Sequence, residues 1–211
     1  MTKILIVRHG QSDSNASRSL TGQRDSKLSE MGLKQAELVS EYIYKNYQID
    51  EIHSSDLTRA VQTLTPLAKT LGLEIIKTPK LRELNCGDWQ GQKISDLLQD
   101  ERYLKWKNED LTIQAPNGES FVDVQARAYN YLESVAKNSD GKTIAMSLHG
   151  GPIRMILAKI LDIPPCEWHK SLGYVNNAST TLLNYENGKF TILSTTDDYL
   201  GELSTEMPKG L

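Results

Sequence analysis

Ile4-Leu5-Ile6-Val7 runs straight into Arg8-His9-Gly10, and the reading of this stretch decides the fold. A short apolar, β-branched run reads as a buried strand. Open α/β sheets bind ligands just beyond the carboxyl ends of their strands. A guanidinium and an imidazole side by side at such an end, followed by glycine, look like the start of an anion site. Neutral imidazole is a good nucleophile near neutral pH, and a flanking arginine both attracts phosphate and holds the imidazole pKa down. Taken alone, the tripeptide reads equally well as a strand that ends in two polar residues. The rest of the chain has to decide.

A second strand ends the same way. Thr143 to Leu148 stops at His149-Gly150-Gly151, and Pro152 suits the first turn of a helix running to Leu161. If both strands lie in one parallel sheet, both imidazoles emerge on its carboxyl edge. Gly150 and Gly151 would let backbone approach closely, with free helix N–H groups aimed at an anion. A third strand, Ile49 to His53, leads through Ser54-Ser55-Asp56, which offer cap residues, to Arg59 in the first turn of a helix from Leu57 to Leu71. An arginine at the positive end of a helix is poorly placed for stability. An anionic ligand explains it, as does an ordinary solvated surface position.

The remaining pattern alternates strand and helix. Ser29 caps a helix with an apolar stripe of Leu33, Ala36, Val39 and Ile43. Leu73 to Lys77 reads as a strand, Ile94 to Trp106 as a short helix, and Glu119 to Ala136 as a longer one. Ala178 to Tyr185 and Lys189 to Ser194 flank Asn187-Gly188, a two-residue hairpin signal. The whole predicts a single domain over residues 1–211: a three-layer α/β/α sandwich with a mostly parallel central sheet and an antiparallel edge strand.

Composition bounds the partners. A net charge of −3 over 211 residues argues against nucleic acid or an anionic membrane surface, so any anion site must be local. Cys86 and Cys166 sit in unrelated settings and suggest neither a disulfide framework nor zinc. His9, His53, His149 and His169 show no metal-ligand spacing, and no stretch reaches bilayer length. The expectation is a soluble, cytoplasmic protein with no metal and no cofactor. Gly141-Lys142-Thr143 resembles the tail of a P-loop but precedes a strand and lacks the upstream glycine.

At this point several motifs, in order, resemble the histidine phosphatase superfamily, the phosphoglycerate mutase-like proteins. They are Leu5 to Gly10 with Asn15, Leu20 to Asp25, Leu28 to Gly32, Ser54 to Thr63, Leu81 to Gly91, Pro116 to Ser120, and His149 to Arg154. The resemblance implies the phosphoglycerate mutase-like fold and assigns roles. His9 would accept the phosphoryl group, while Arg8, Arg59 and His149 would hold its oxygens. Asn15, with Thr21, Gly22, Gln23 and Gly150, would complete the substrate site. Glu83 would protonate the leaving alkoxide and then deprotonate the attacking water. From the residues alone, Glu83 reads as readily as a salt-bridge partner of Arg82 or Arg59.

The implied activity is that of a metal-independent phosphatase acting on a small phosphorylated metabolite. A mutase is the first alternative. Against it, the family's mutases carry a longer, basic insertion after the glutamate motif, whereas Gly91 to Gly118 is short and rich in acids. A non-catalytic phosphate-binding module is the second alternative, and the retention of His9, His149 and Glu83 disfavours it. Gln23, Trp89, Tyr103, Trp106 and Tyr174 are candidates for a substrate side pocket. Which phosphomonoester is used stays open, as does a homodimer through the sheet edge.

Overall fold

The computed structural model describes residues 1–16, 19–107, 113–164, 167 and 171–204, with the side chains of residues 15 and 16 left out. Its centre is a six-stranded sheet of β1 (Thr2–Arg8), β2 (Glu51–Ser55), β3 (Ile75–Thr78), β4 (Thr143–Leu148), β5 (Thr180–Glu186) and β6 (Lys189–Thr196). The spatial order is β3-β2-β4-β1-β5-β6. The β1–β4, β2–β4 and β2–β3 pairs are parallel, while β5 runs antiparallel to both β1 and β6. This is the mostly parallel sheet with an antiparallel margin that the alternating pattern predicts.

Helices cover both faces because the side chains of a strand alternate. The short α1 (Asp13–Ala16) lies in the loop after β1. Leu5 and Val7 pack with Val39 and Ile43 of α2 (Glu30–Asn46) and with Leu64 and Leu67 of α3 (Thr58–Leu71). Beyond β3 come the short helices α4 (Ile94–Leu97) and α5 (Glu101–Lys107). On the opposite face, Ile4 and Ile6 pack with Val124 and Leu132 of α6 (Phe121–Asn138) and with Ile153 and Ile156 of α7 (Gly150–Ile160). Strand β1 therefore sits in the middle of the core and delivers its last residues to the carboxyl edge.

Several boundaries differ from the sequence reading, each for a specific reason. The stretch Ile94 to Trp106 is two helices, because Asp100 Oδ1 accepts from the Arg102 and Tyr103 N–H groups and starts a new one. Leu73 does not open β3: its N–H turns back to the Ala68 carbonyl and closes α3 through left-handed Gly72. Leu33 is exposed, and the buried face of α2 instead includes Gly32, Gln35 and Ser40. Strand β2 continues past His53 to Ser55. Its following helix takes no cap from Ser54, Ser55 or Asp56. Asp25, distant in sequence, accepts from the Thr58 N–H at 2.8 Å instead. The hairpin falls where expected, with Asn187 and Gly188 both at positive φ, as a type I′ turn requires.

One close approach sets the geometry at the sheet edge. A Cβ on Gly10 would lie 2.7 Å from the Gly32 carbonyl oxygen, and one on Gly32 would lie 1.9 Å from that of Gln11. The N-terminus of α2 thus rests directly on the backbone that leaves β1.

Candidate active site

The register of β1 and β4 brings the two histidines together. Arg8 pairs with Leu148, and the His9 N–H continues the ladder to the Leu148 carbonyl at 3.0 Å. His9 and His149 therefore leave the sheet side by side, with ring centroids 5.0 Å apart. His9 is 3% exposed and His149 is fully buried. His9 Nδ1 lies 2.7 Å from the Gly10 carbonyl oxygen. A carbonyl only accepts, so Nδ1 carries the proton and Nε2 keeps its lone pair.

His149 Nε2 lies 2.9 Å from Ser55 Oγ, at the end of the neighbouring strand β2. Ser55 Oγ also accepts from the Leu57 N–H at 3.3 Å, which leaves its hydroxyl proton for the imidazole. With Ser55 Oγ donating to Nε2, the His149 proton sits on Nδ1, a buried atom without a partner among the described residues. Both histidines have pKa values pushed well below the ordinary 6.5. Burial is the main cause, followed by the Arg59 charge, with Arg8 contributing to each. Both are therefore neutral at physiological pH.

The guanidinium groups are held by backbone. Arg59 is 2% exposed and donates to the Arg24 carbonyl at 3.0 Å and the Gly22 carbonyl at 2.9 Å. Arg8 donates to the Val175 carbonyl and lies 4.6 Å from the Tyr174 ring centroid. Arg8 Nε is buried and unpartnered among the described residues. Neither arginine is neutralised by a carboxylate ion pair there, so the cluster carries net positive charge, a setting made for an anion.

Glu83 completes the group from the loop before α4. Its Oε1 accepts from the Leu84 N–H at 2.9 Å and its Oε2 from the Gly151 N–H at 3.3 Å. A Cβ on Gly151 would lie 2.3 Å from Glu83 Oε1, so the second glycine of the His149-Gly150-Gly151 motif makes room for the carboxylate. Arg82 does not pair with Glu83: it grips Asp56 through two bonds of 2.6 Å. Beneath Glu83, its carbonyl accepts from Arg127 Nη2 at 2.9 Å and from Gln23 Nε2 at 2.9 Å. Arg127 in turn is paired with Glu119.

These side chains surround a cavity of about 310 Å³. Of the residues expected from sequence, Arg8, His9, Thr21, Gly22, Arg59, Glu83 and Gly150 line it. His149 stands just behind His9. Gln23, expected to bind substrate, does not line the cavity, because its amide is spent holding the Glu83 backbone and Glu119. The side chain of Asn15 lies outside the described residues. Trp106 and Tyr174 reach the cavity, whereas Trp89 and Tyr103 are core aromatics stacked behind Trp106. Sequence reasoning missed Ser55, Arg127, Arg154 and Phe121. The first and last two of these lie within or beside quoted motifs, but only the fold turns them inward.

Comparison with known proteins agrees with this geometry. Residues 4–198 match the Histidine phosphatase superfamily (branch 1). A metal-independent phosphoserine phosphatase of Arabidopsis thaliana is 33% identical over 201 residues, covering 93% of this chain and 82% of that protein. The glucosyl-3-phosphoglycerate phosphatase of Mycobacterium tuberculosis is 35% identical over 192 residues, covering 86% of this chain and 85% of that one. The native structure of a mycobacterial glucosyl-3-phosphoglycerate phosphatase superimposes with a TM-score of 0.80 at 32% identity, over 90% of this chain and 96% of the other. A probable phosphoglycerate mutase of Yersinia pestis is 33% identical over 168 residues, covering 78% of this chain and 77% of that protein. With the match running through nearly every element that frames the cavity, the chain belongs to the histidine phosphatase superfamily, branch 1, and is a phosphatase of that family.

Proposed function

We propose that this chain hydrolyses a small-metabolite phosphomonoester without a metal ion, through a phosphohistidine on His9 with Glu83 as proton donor. One observation carries the reading. The Nδ1–H of His9 is committed to the Gly10 carbonyl, which leaves the Nε2 lone pair beside two guanidinium groups that form no ion pair among the described residues.

In the first step His9 Nε2 attacks phosphorus and the P–O bond to the alcohol breaks. Protonated Glu83 gives its proton to the departing oxygen. Arg8, Arg59 and the His149 Nδ1–H hold the equatorial oxygens, where negative charge accumulates. In the second step Glu83, now a carboxylate, takes a proton from water as that water attacks phosphohistidine. Inorganic phosphate leaves, and both His9 and Glu83 return to their starting states.

The depressed His9 pKa serves this sequence, because it keeps the nucleophile deprotonated below neutral pH. That two relatives are named as phosphatases supports release of phosphate over its return to the product. A trapping experiment tests the proposal. Brief incubation with a labelled phosphomonoester and acid-free quenching should give a base-stable, acid-labile phosphoprotein, absent in His9→Ala, and turnover should persist with chelator. Phosphate release by His9→Ala at the wild-type rate would overturn it. Stoichiometric transfer between phosphoglycerate positions without phosphate release would replace it with the mutase reading.

A further inference from the structure

Resting on the role of His9 proposed above, we infer that Gln35 is a positioning residue for the nucleophile. It fixes the peptide plane that holds His9 as the Nδ1–H tautomer, and it is itself held by the helical segment Asp198–Leu203. Gln35 lies on α2, is fully buried and does not line the cavity. Its Oε1 accepts from the Gln11 N–H at 2.8 Å. That N–H belongs to the same planar peptide group as the Gly10 carbonyl, whose oxygen lies 2.7 Å from His9 Nδ1. Fixing one end of the plane fixes the other. An amide that donates at its N–H is also a better acceptor at its carbonyl, so the two bonds reinforce each other.

The other half of the Gln35 amide decides which way it faces. Nε2 donates to the Leu203 carbonyl at 2.7 Å. The Gln11 N–H only donates and the Leu203 carbonyl only accepts, so a flipped amide would lose both bonds. The segment Asp198–Leu203 is firmly docked: Leu200 is buried in the cluster of Leu5 and Val7, and the Tyr199 ring stacks on Tyr42 of α2 at 4.3 Å and 16°. The same segment reaches the nucleophile from the opposite side. The Tyr199 hydroxyl donates to the Ala178 carbonyl, and the Ala178 N–H donates to the Arg8 carbonyl at 2.9 Å. Asn177 Nδ2 donates to the His9 carbonyl at 2.8 Å, and the Gly10 N–H donates to Thr63 Oγ1 at 3.0 Å. The backbone is thus pinned on both sides of His9, and Gln35 holds the peptide that selects the tautomer. A fixed acceptor is needed for that selection, because histidine free in water prefers its proton on Nε2, the atom that has to attack phosphorus.

NMR of the full chain labelled with 15N-histidine reads the tautomer directly, with His9→Ala identifying the His9 signals. The wild type should show His9 as Nδ1–H alone. Gln35→Met keeps the length of the side chain, deletes both bonds and should bring in the Nε2–H form. It should also lower kcat/KM at least about tenfold for n-propyl phosphate and p-nitrophenyl phosphate alike, since both depend on the same nucleophile. Inorganic phosphate, held by the guanidinium groups, should keep its Kd within about threefold. A merely structural loss would weaken phosphate binding and turnover together. Gln35→Glu returns an acceptor to the Gln11 N–H and should restore the Nδ1–H form. Should Gln35→Met not fold, Gln35→Ala takes its place: water admitted beside Gln11 is a movable acceptor, and the Nε2–H form should still emerge. A His9 that stays wholly Nδ1–H in the folded variant, or a phosphate affinity that falls as far as kcat/KM, overturns the inference. The phosphohistidine reading fails separately, when His9→Ala releases phosphate at the wild-type rate. The tautomer measurement needs no turnover and decides the role of Gln35 in either case.

Discussion

Arg127→Met removes a side chain that touches no substrate and yet should alter proton transfer. Arg127 bonds Glu119 through Nε and Nη2 at 2.9 and 2.7 Å, the Lys80 carbonyl at 2.9 Å, and the Glu83 carbonyl at 2.9 Å. Glu119 holds the Asn85 N–H at 2.7 Å, so the pair fixes the backbone on both sides of Leu84. Both side chains are mostly buried, at 16% and 18% exposure. Loss of the guanidinium leaves Glu119 partly desolvated, a stability cost of about 2–4 kcal/mol once solvent screening is allowed for. The catalytic cost follows from geometry. General acid catalysis contributes roughly 10²–10⁴ in rate, and a displacement of about 1 Å forfeits on the order of 10². That loss should appear only where the leaving group needs a proton. For n-propyl phosphate, kcat/KM should fall about 10²-fold, while for p-nitrophenyl phosphate, with its far less basic leaving group, it should fall by less than about fivefold. Glu83→Gln should show the same split, more steeply. Because kcat/KM reports events up to the first irreversible step, slower breakdown of phosphohistidine cannot mimic the pattern. An equal loss with both esters would refute the reasoning and leave Arg127 a purely structural residue.

Stability should fall in mild acid. The folded-state pKa values of His9 and His149 are depressed below 6.5, so between that value and lower pH the unfolded chain binds protons that the native state refuses. Each histidine's contribution is thus full above about pH 6.5 and lost below it at about 1.4 kcal/mol per pH unit. Denaturant titrations at pH 7, 6 and 5 should show His149→Asn shallower than wild type by about that slope, and parallel curves would sink the assignment. Ser55→Ala deletes the partner of His149 Nε2, releases the tautomer lock, and should lower kcat/KM for both ester types alike by about tenfold. A loss confined to the alkyl ester would place Ser55 on the proton-donor side instead. Gly32→Ala forces a methyl group to 1.9 Å from the Gln11 carbonyl and should cost more than about 3 kcal/mol in unfolding free energy, with near-native stability as the contrary result.

The sheet was legible because its signals are local. Ile4 to Val7, Thr143 to Leu148 and the Asn187-Gly188 turn each carry their own pattern, and each element forms where that pattern lies. The errors at the site's edge fall where a distant residue supplies what neighbours normally would. Asp25 starts α3 across more than thirty positions of chain, a pairing that no window on Leu57 to Leu71 contains. Gln23 shows the same limit within the site. Its place in a loop motif says that it is close to the phosphate region, and only the fold reveals that its amide faces the Glu83 carbonyl. Ser55, likewise, looks like a helix cap in sequence, but the parallel neighbour β4 ends beside it and takes its hydroxyl.

His9, the nucleophile we propose, is instead marked in the sequence by a violation of ordinary folding rules. Two arginines and two histidines converge where the sheet edge is buried, and among the described residues neither arginine forms an ion pair there. For stability alone such a cluster is a loss, since desolvated like charges repel and buried donors go unpaired. The fold tolerates it because the central strands β1 and β4 are largely apolar and helices pack against both of their faces. In the mechanism we propose, a phosphoryl dianion would reverse these terms: it would pair the guanidinium groups, offer acceptors to Arg8 Nε and His149 Nδ1, and leave the neutral imidazole of His9 facing an electrophilic phosphorus. After burial, the arginine charges that would bind phosphate are what depress the His9 pKa, so in the proposed mechanism affinity and reactivity draw on the same charges. A variant that neutralises Arg59 should therefore weaken phosphate binding and raise the His9 pKa together, and the two cannot be tuned separately at that position.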